Sequence, residues 1–101
     1  MKKEVIELLR STKMEKKEYI KNELIELIDT TNKDAIGYID GLLSMPFVES
    51  ALDLAISIVY NNEDAFKEIL EEGDYIDDGH KAFTIVVAII ETMKDIKYNP
   101  F

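Results

Sequence analysis

The chain has 101 residues, of which 47% are hydrophobic, and it contains no cysteine. A domain of this size can bury a core of its own, whereas disulfide bridges and thiolate metal sites are excluded. With 21 acidic and 12 basic residues the net charge is −9, which disfavours direct binding to nucleic acid, because such binding needs lysines and arginines to displace counterions from the phosphates.

The N-terminus carries basic residues but has no uninterrupted apolar segment and no small-residue cleavage site, so it predicts no secretory signal. The longest apolar stretch, residues 85–90, falls far short of the roughly 20 residues that span a bilayer. We therefore expect a cytoplasmic protein that does not contact membranes.

Apolar residues recur at helical spacing along almost the whole chain. A first short helix is predicted from an apolar stripe formed by Val5, Leu8 and Leu9. Ser11 or Thr12 offers the N-cap of a second helix, with Glu15 at the capping-box position after Thr12. Residues 2–29 could also form one long helix, since neither proline nor glycine divides them.

Thr31 and Asn32 are strong N-cap residues and predict the start of a third helix. Inside it, Gly37 and Gly41 are four residues apart. Because glycine lets a second backbone approach closely, this spacing predicts close packing of another helix, with a weak helix that kinks easily as the alternative.

Pro46 ends the third helix and favours the start of a fourth, predicted over residues 46–60. Apolar residues cover most of its circumference, so we expect it to lie in the middle of the fold together with the last helix. Asn61 and Asn62 separate it from a short fifth helix, which Gly73 is predicted to end as a C′ glycine.

Residues 74–79 predict a turn, followed by a last helix over residues 80–97. Its inward face is predicted to comprise Phe83, Val86, Val87, Ile90 and Met93. Residues 84–90 are rich in β-branched side chains and could instead form a buried strand, but no partner strand is predicted. The predicted fold is therefore all-α: a compact, single-domain bundle of five or six short helices over residues 1–101.

No residue pattern forms a complete catalytic or metal site, and we expect a protein that is not an enzyme and that binds no cofactor. The segment Asp74-x-Ile76-x-Asp78-Gly79 lacks two calcium ligands of an EF-hand, because Ile76 and Ile85 stand at the third and twelfth positions. His80 is the single histidine, and no serine on a glycine elbow could form a triad with it.

Glu23-x-x-Glu26 places two acids on one helical face, with Asp29 one turn further on. This pair resembles the first half of the magnesium site of MazG-type nucleotide pyrophosphohydrolases, which are all-helical enzymes. The resemblance implies a second acidic pair, and the nearest candidates, Glu49 and Asp53, are four residues apart instead of three. A magnesium-dependent nucleotide hydrolase is thus an alternative function.

Acidic residues concentrate in residues 61–80, where eight acids and one lysine give a net charge of −7. Tyr75 lies in this segment, and tyrosine is favoured at the centre of interfaces. The predicted partner-binding residues are Glu68, Glu71, Glu72, Asp74, Tyr75, Asp77 and Asp78. We expect that Tyr75→Ala combined with Asp77→Asn and Asp78→Asn weakens partner binding while leaving helicity and melting nearly unchanged. Tyr75 could instead fold back over the core beside Ile76.

In size, charge and helicity the chain resembles the immunity proteins of bacterial toxin systems, which include inhibitors that place carboxylates in the basic cleft of a nuclease. The resemblance implies a protein that neutralises a basic toxin or other effector by direct binding. We expect a monomer or homodimer that does not contact nucleic acid. Alternatives are a phage-encoded anti-defence inhibitor that mimics nucleic acid, and a structural or regulatory subunit whose basic segment, residues 13–17, contacts an acidic neighbour.

Overall fold

The computed structural model describes residues 7–98, with the backbone alone at Tyr98. These residues form six α-helices and no strand, which confirms the predicted all-α bundle. In chain order the helices are α1 (Lys13–Ile28), α2 (Lys33–Ser44), α3 (Pro46–Glu49), α4 (Leu52–Asn61), α5 (Glu63–Glu72) and α6 (Asp78–Tyr98). Among the described residues, no helix has both the length and the apolar character needed to cross a membrane.

Side-chain and backbone caps define both ends of α1. The Thr12 hydroxyl accepts a hydrogen bond from the backbone N–H of Glu15 (3.2 Å) and donates one to the Glu15 carboxylate (3.1 Å). At the other end Asp29 adopts a left-handed conformation (φ 55°). The N–H groups of Asp29 and Thr30 then reach back to carbonyls of the last turn, as in a Schellman motif.

Upstream of α1 the chain is helical at residues 7–8 and non-helical over residues 9–12. The described part of residues 2–29 therefore contains two helical segments and not one long helix. Leu8 and Leu9 pack against the core as partly buried residues, whereas Val5 lies outside the described residues.

The predicted fourth helix, residues 46–60, is divided into α3 and α4. The chain leaves the helical conformation at Ala51 (φ −139°, ψ 44°). In a continuous helix the carbonyl of Phe47 would accept the N–H of Ala51, but here the Ser50 hydroxyl donates to that carbonyl (2.9 Å) and the Ala51 N–H bonds to Val48 (3.0 Å). The expectation of one long central helix is therefore wrong.

The buried side chains form one cluster, to which all six helices contribute. The most extensive helix contact joins α2 to α6, and α1 packs mainly against α4. The buried face of α6 comprises Ala82, Ile85, Val86, Ile89 and Met93. Residues 84–90 are helical, so the predicted alternative of a strand is wrong.

Two apolar residues predicted for the inward face of α6 lie outside the core. Phe83 is 51% exposed and Val87 is 37% exposed. They are one helical turn apart, on a side of α6 that the core does not cover. The helix therefore has a second apolar face, which points to solvent.

The lysines of α1 form ion pairs with carboxylates on the helices beside it. These pairs are Lys13–Glu49, Lys17–Glu49, Lys16–Asp53 and Lys21–Asp40. Such exposed pairs contribute little individually, yet they hold all three lysines of residues 13–17 against the same chain. The predicted use of this segment to contact an acidic neighbour is not supported by this arrangement.

The ion pairs of Glu49 predict a pH-dependent stability. Hydrogen bonding and charge attraction from Lys17, and then from Lys13, lower the pKa of the Glu49 carboxyl below its usual 4.5. A lowered pKa stabilises the fold above the unfolded-state value, and this contribution is lost as the pH falls through the folded-state value. Glu49→Gln should therefore lower Tm at about pH 7 and change it little at about pH 3.

Circular dichroism at both pH values measures this difference. About 0.5 M salt should shrink it at neutral pH, since the pair is exposed to screening. A loss of Tm that is equal at the two pH values would show that the charge of Glu49 is not what matters.

The two glycines of α2 face open space. Apart from the neighbouring residues and backbone of α2 itself, no atom lies within 4 Å of a Cβ built at Gly37 or at Gly41, so the predicted close packing of another helix at this pair is wrong within the described chain. Gly79, at the start of α6, differs because a Cβ there would lie 3.2 Å from the Asp77 carboxylate.

Alanine at the open positions should stabilise the protein. Gly37→Ala and Gly41→Ala each remove a helix-interior glycine without creating a clash, and each should raise the free energy of unfolding by about 0.5–1 kcal/mol. Urea denaturation provides the measurement, and Gly79→Ala, which gains no stability because of its crowded Cβ, is the comparison. A destabilised Gly37→Ala variant would mean that this face of α2 is not open.

Candidate functional site

Tyr75 and Gly73 together close the C-terminal end of α5. Gly73 ends this helix as predicted, but in an extended conformation (φ −75°, ψ 155°) and not in the left-handed one of a C′ glycine. A Cβ on Gly73 would overlap the ring of Tyr75, so the glycine provides space for the ring. The Tyr75 hydroxyl donates to the carbonyl of Ile69 (2.9 Å). Tyr75 thus folds back over the end of α5, while Ile76 is 89% exposed and does not reach the core.

Asp77 is the N-cap of α6. Its carboxylate accepts a hydrogen bond from the backbone N–H of His80 (2.8 Å). The His80 ring accepts the backbone N–H of Ile76 at Nδ1 (3.3 Å) and lies edge-on to the Tyr75 ring, with centroids 5.1 Å apart. These contacts hold the turn between α5 and α6 in one conformation.

Asp78 ties the start of α6 to the loop between α1 and α2. The hydroxyl of Thr30 donates to the Asp78 carboxylate (2.8 Å) and accepts the backbone N–H of Asn32 (3.0 Å). Thr30 is only 5% exposed, so this bond is partly protected from water. Nothing in the sequence pattern of Thr30 indicated this contact, because it joins residues 48 positions apart.

Three of the seven predicted site residues therefore have structural roles. Tyr75→Ala removes the hydrogen bond to Ile69, so these contacts do not support the expectation that the triple replacement leaves stability nearly unchanged. Asp77→Asn, by contrast, keeps a capping side chain. The other four are exposed, and their side chains make no hydrogen bond or ion pair with another described residue: Glu68, Glu71, Glu72 and Asp74. These four carboxylates are the part of the predicted site that is available to a partner.

The position of two of these carboxylates is electrostatically unfavourable. Glu71 and Glu72 lie in the last turn of α5, which contains no basic residue. The macrodipole makes this end of a helix negative, so basic side chains are favoured there and acidic ones are disfavoured by roughly 0.3–1 kcal/mol each. A cation bound at this end would relieve the repulsion.

An open groove of about 640 Å³ runs between α2 and the start of α6, next to the acidic turn. It is lined by Lys33, Asp34, Gly37, Tyr38, Ile76, Asp77, Gly79, His80 and Phe83. Tyr38 and Phe83 form one wall, with their rings edge to face and their centroids 5.7 Å apart. Asp77 and His80 belong to both the groove and the turn, so the two features are continuous.

Most of the groove could not be found in the sequence. Tyr38 and Phe83 are 45 positions apart, and only the packing of α2 on α6 brings them together. Helical spacing predicts Phe83 on the inward face of the last helix, but the apolar residues 85–90 cover several sides of that helix and do not define which one is buried. The two glycines of α2 are consistent with a helix face left open to solvent, but the same residues are equally consistent with a face covered by another helix.

The two acidic pairs that resemble a MazG-type site do not converge. Glu23 and Glu26 lie near Lys67 and Glu63, which form an ion pair with each other (3.2 Å). Glu49 and Asp53 pair instead with Lys13, Lys16 and Lys17, which lie six to thirteen residues before Glu23 and Glu26 on α1, or roughly 9–20 Å along the helix axis. Within residues 7–98, no group of three or more acids or histidines is placed to hold a metal ion.

Comparison of the chain with known protein families, with curated proteins and with solved structures yields no match. The function must therefore be argued from the geometry of this chain. That geometry comprises four unpaired carboxylates, a rigid turn and an adjoining apolar groove.

The capping role of Asp77 predicts a selective effect on stability. Asp77→Ala should lower the free energy of unfolding by about 1 kcal/mol, because the N–H of His80 loses its acceptor. Asp77→Asn should cost much less, since asparagine caps equally well. Urea denaturation of both variants checks this, and an alanine variant as stable as the asparagine variant would contradict the capping role.

Proposed function

We propose that this protein is a non-catalytic, cytoplasmic binding protein that neutralises a basic protein partner, a toxin or other effector such as a basic nuclease. The surface that binds is the acidic end of the molecule, formed by the last two turns of α5 and Asp74. Its charged residues are Glu68, Glu71, Glu72 and Asp74.

The observation that carries this proposal is the pair of uncompensated acids at the C-terminal end of α5. Glu71 and Glu72 lie where the helix dipole repels them, and no basic residue shares that turn. Residues that lower stability at a solvent-exposed position are typical of binding sites, because the partner supplies the missing interaction.

The distribution of ion pairs supports the same conclusion. The lysines of α1 pair with acids of α2, α3 and α4, so that part of the surface is locally compensated. Residues 61–80 keep a net charge of −7 with Lys67 as their one base. A concentrated negative field of this kind accelerates the encounter with a positively charged protein and selects against acidic partners.

Removing the four charges should have opposite effects on binding and on folding. We expect the variant Glu68→Gln, Glu71→Gln, Glu72→Gln, Asp74→Asn to bind the partner at least tenfold more weakly, a loss of about 1.4 kcal/mol. The same variant should be more stable by roughly 0.5–1 kcal/mol, because the repulsion at the end of α5 is removed.

The matched control neutralises four exposed acids elsewhere: Glu18→Gln, Glu26→Gln, Glu91→Gln and Asp95→Asn. Both variants lose four of nine net negative charges, so they carry −5 and differ only in where the charge is removed. Affinity capture from the cells that encode the chain supplies the partner, and calorimetric titration at about 0.05 and about 0.5 M salt compares the three proteins.

The proposal is supported if the wild type and the control variant bind the partner tightly while the variant without the α5 and Asp74 charges binds it weakly. The affinity of the wild type should also fall at the higher salt concentration. Loss of the partner's toxicity or enzymatic activity on titration supports the neutralising role. Equal binding by the two variants, or affinity that salt leaves unchanged, would overturn it.

A further inference from the structure

The groove between α2 and α6 carries apolar side chains that the fold itself does not use. Ile76 is 89% exposed, Phe83 51% and Tyr38 46%. All three line the same groove, and Val87 extends the apolar surface by one turn of α6. Scattered apolar residues are normal on a protein surface, whereas a contiguous group around a depression is typical of a contact site.

The shape of the groove is defined by rigid parts of the molecule. Its aromatic wall is fixed by the edge-to-face contact of Tyr38 with Phe83, and Ile76 is held by the hydrogen bond of its N–H to His80. On the α2 side Gly37 has no side chain, and the space where one would stand is empty. The groove is thus preformed, which lowers the entropic cost of binding.

A small molecule does not fit this site well. Every lining residue except Gly79 is exposed, so a small ligand would remain largely in water, whereas small-molecule sites bury most of the surface of their ligand. An extended surface of a protein can cover an open groove of this kind.

The charges around the groove indicate which protein surface can cover it. Asp34 and Asp77 are the acidic residues of the lining, and Asp74 stands two residues before Ile76. Lys33 and His80 are the basic groups of the lining. A second copy of this chain, with its net charge of −9, would bring like charges together. A cationic segment with an apolar side chain matches the apolar lining of the groove and the acidic end beside it.

We propose that the groove receives a large apolar side chain from a lysine- or arginine-flanked amphipathic helix of the partner protein. This inference rests on the proposed function, because it assigns the same partner a second, apolar contact beside the acidic end. The carboxylates attract and orient the partner, and the groove removes apolar surface from water and slows its dissociation.

Two glycines of the same helix provide the test. Gly37 lines the groove and Gly41 does not, and both have free space for a side chain. Gly37→Gln fills the groove, whereas Gly41→Gln makes the same change one turn away. Ile76→Ser is a second variant, which removes an apolar contact at a residue that the core does not hold.

The probe is a fluorescein-labelled amphipathic helix of leucine and lysine, and its companion is the same peptide with serine in place of leucine. Fluorescence anisotropy measures the affinity of each protein for each peptide. We expect Gly37→Gln and Ile76→Ser to bind the leucine peptide at least about tenfold more weakly than wild type does, and Gly41→Gln to match wild type. The serine peptide should bind weakly to all four proteins.

The groove assignment is overturned if Gly37→Gln and Ile76→Ser bind the leucine peptide as Gly41→Gln does, or if the serine peptide binds as tightly as the leucine one. It is also overturned if wild type forms a dimer that Gly37→Gln dissociates, since the occupant would then be a second copy. Failure of the proposed function has a different signature. In that case the variant without the charges of Glu68, Glu71, Glu72 and Asp74 would bind the captured partner protein as tightly as wild type does.

Discussion

The packing of α6 on α2 is the contact on which the candidate site depends. It buries one face of α6 and leaves the adjoining face, with Phe83, beside Tyr38 on α2. The same packing brings Asp78 to the hydroxyl of Thr30, which fixes where α6 begins relative to the loop before α2. The turn that precedes α6 is therefore anchored at both ends, and its exposed groups are presented in one arrangement.

The charged side chains form two groups, one that pairs within the fold and one that does not. On the side of α1, lysines and carboxylates pair across helices and help to orient them. At the end of α5, carboxylates remain unpaired next to a negative helix terminus. A chain selected only for stability would place a lysine at Glu71 or Glu72. The retained repulsion is the physical reason for regarding this end as the site of interaction.

The local elements were predictable because their signals are local. Thr12 and Asn32 cap the helices that follow them, and Pro46 starts α3, since each acts on backbone groups within one turn. The acidic character of the site was equally visible, because net charge over residues 61–80 can be counted. The sequence did not show which of these carboxylates lack a hydrogen-bond partner. Asp77 and Asp78 differ from Asp74 only through hydrogen bonds that form when the turn folds.

The helical class, most helix starts and the concentration of acids in one segment can be derived from the amino-acid order, because periodicity, capping and charge depend on neighbouring residues. That Tyr75 caps α5 and that Phe83, Tyr38 and Ile76 surround a groove emerges only when the helices pack. A run that is apolar on every side does not define which face is buried. The buried face of such a helix is defined by the helices that pack on it. In this protein the packing of α2 on α6 leaves one apolar face of α6 exposed to solvent.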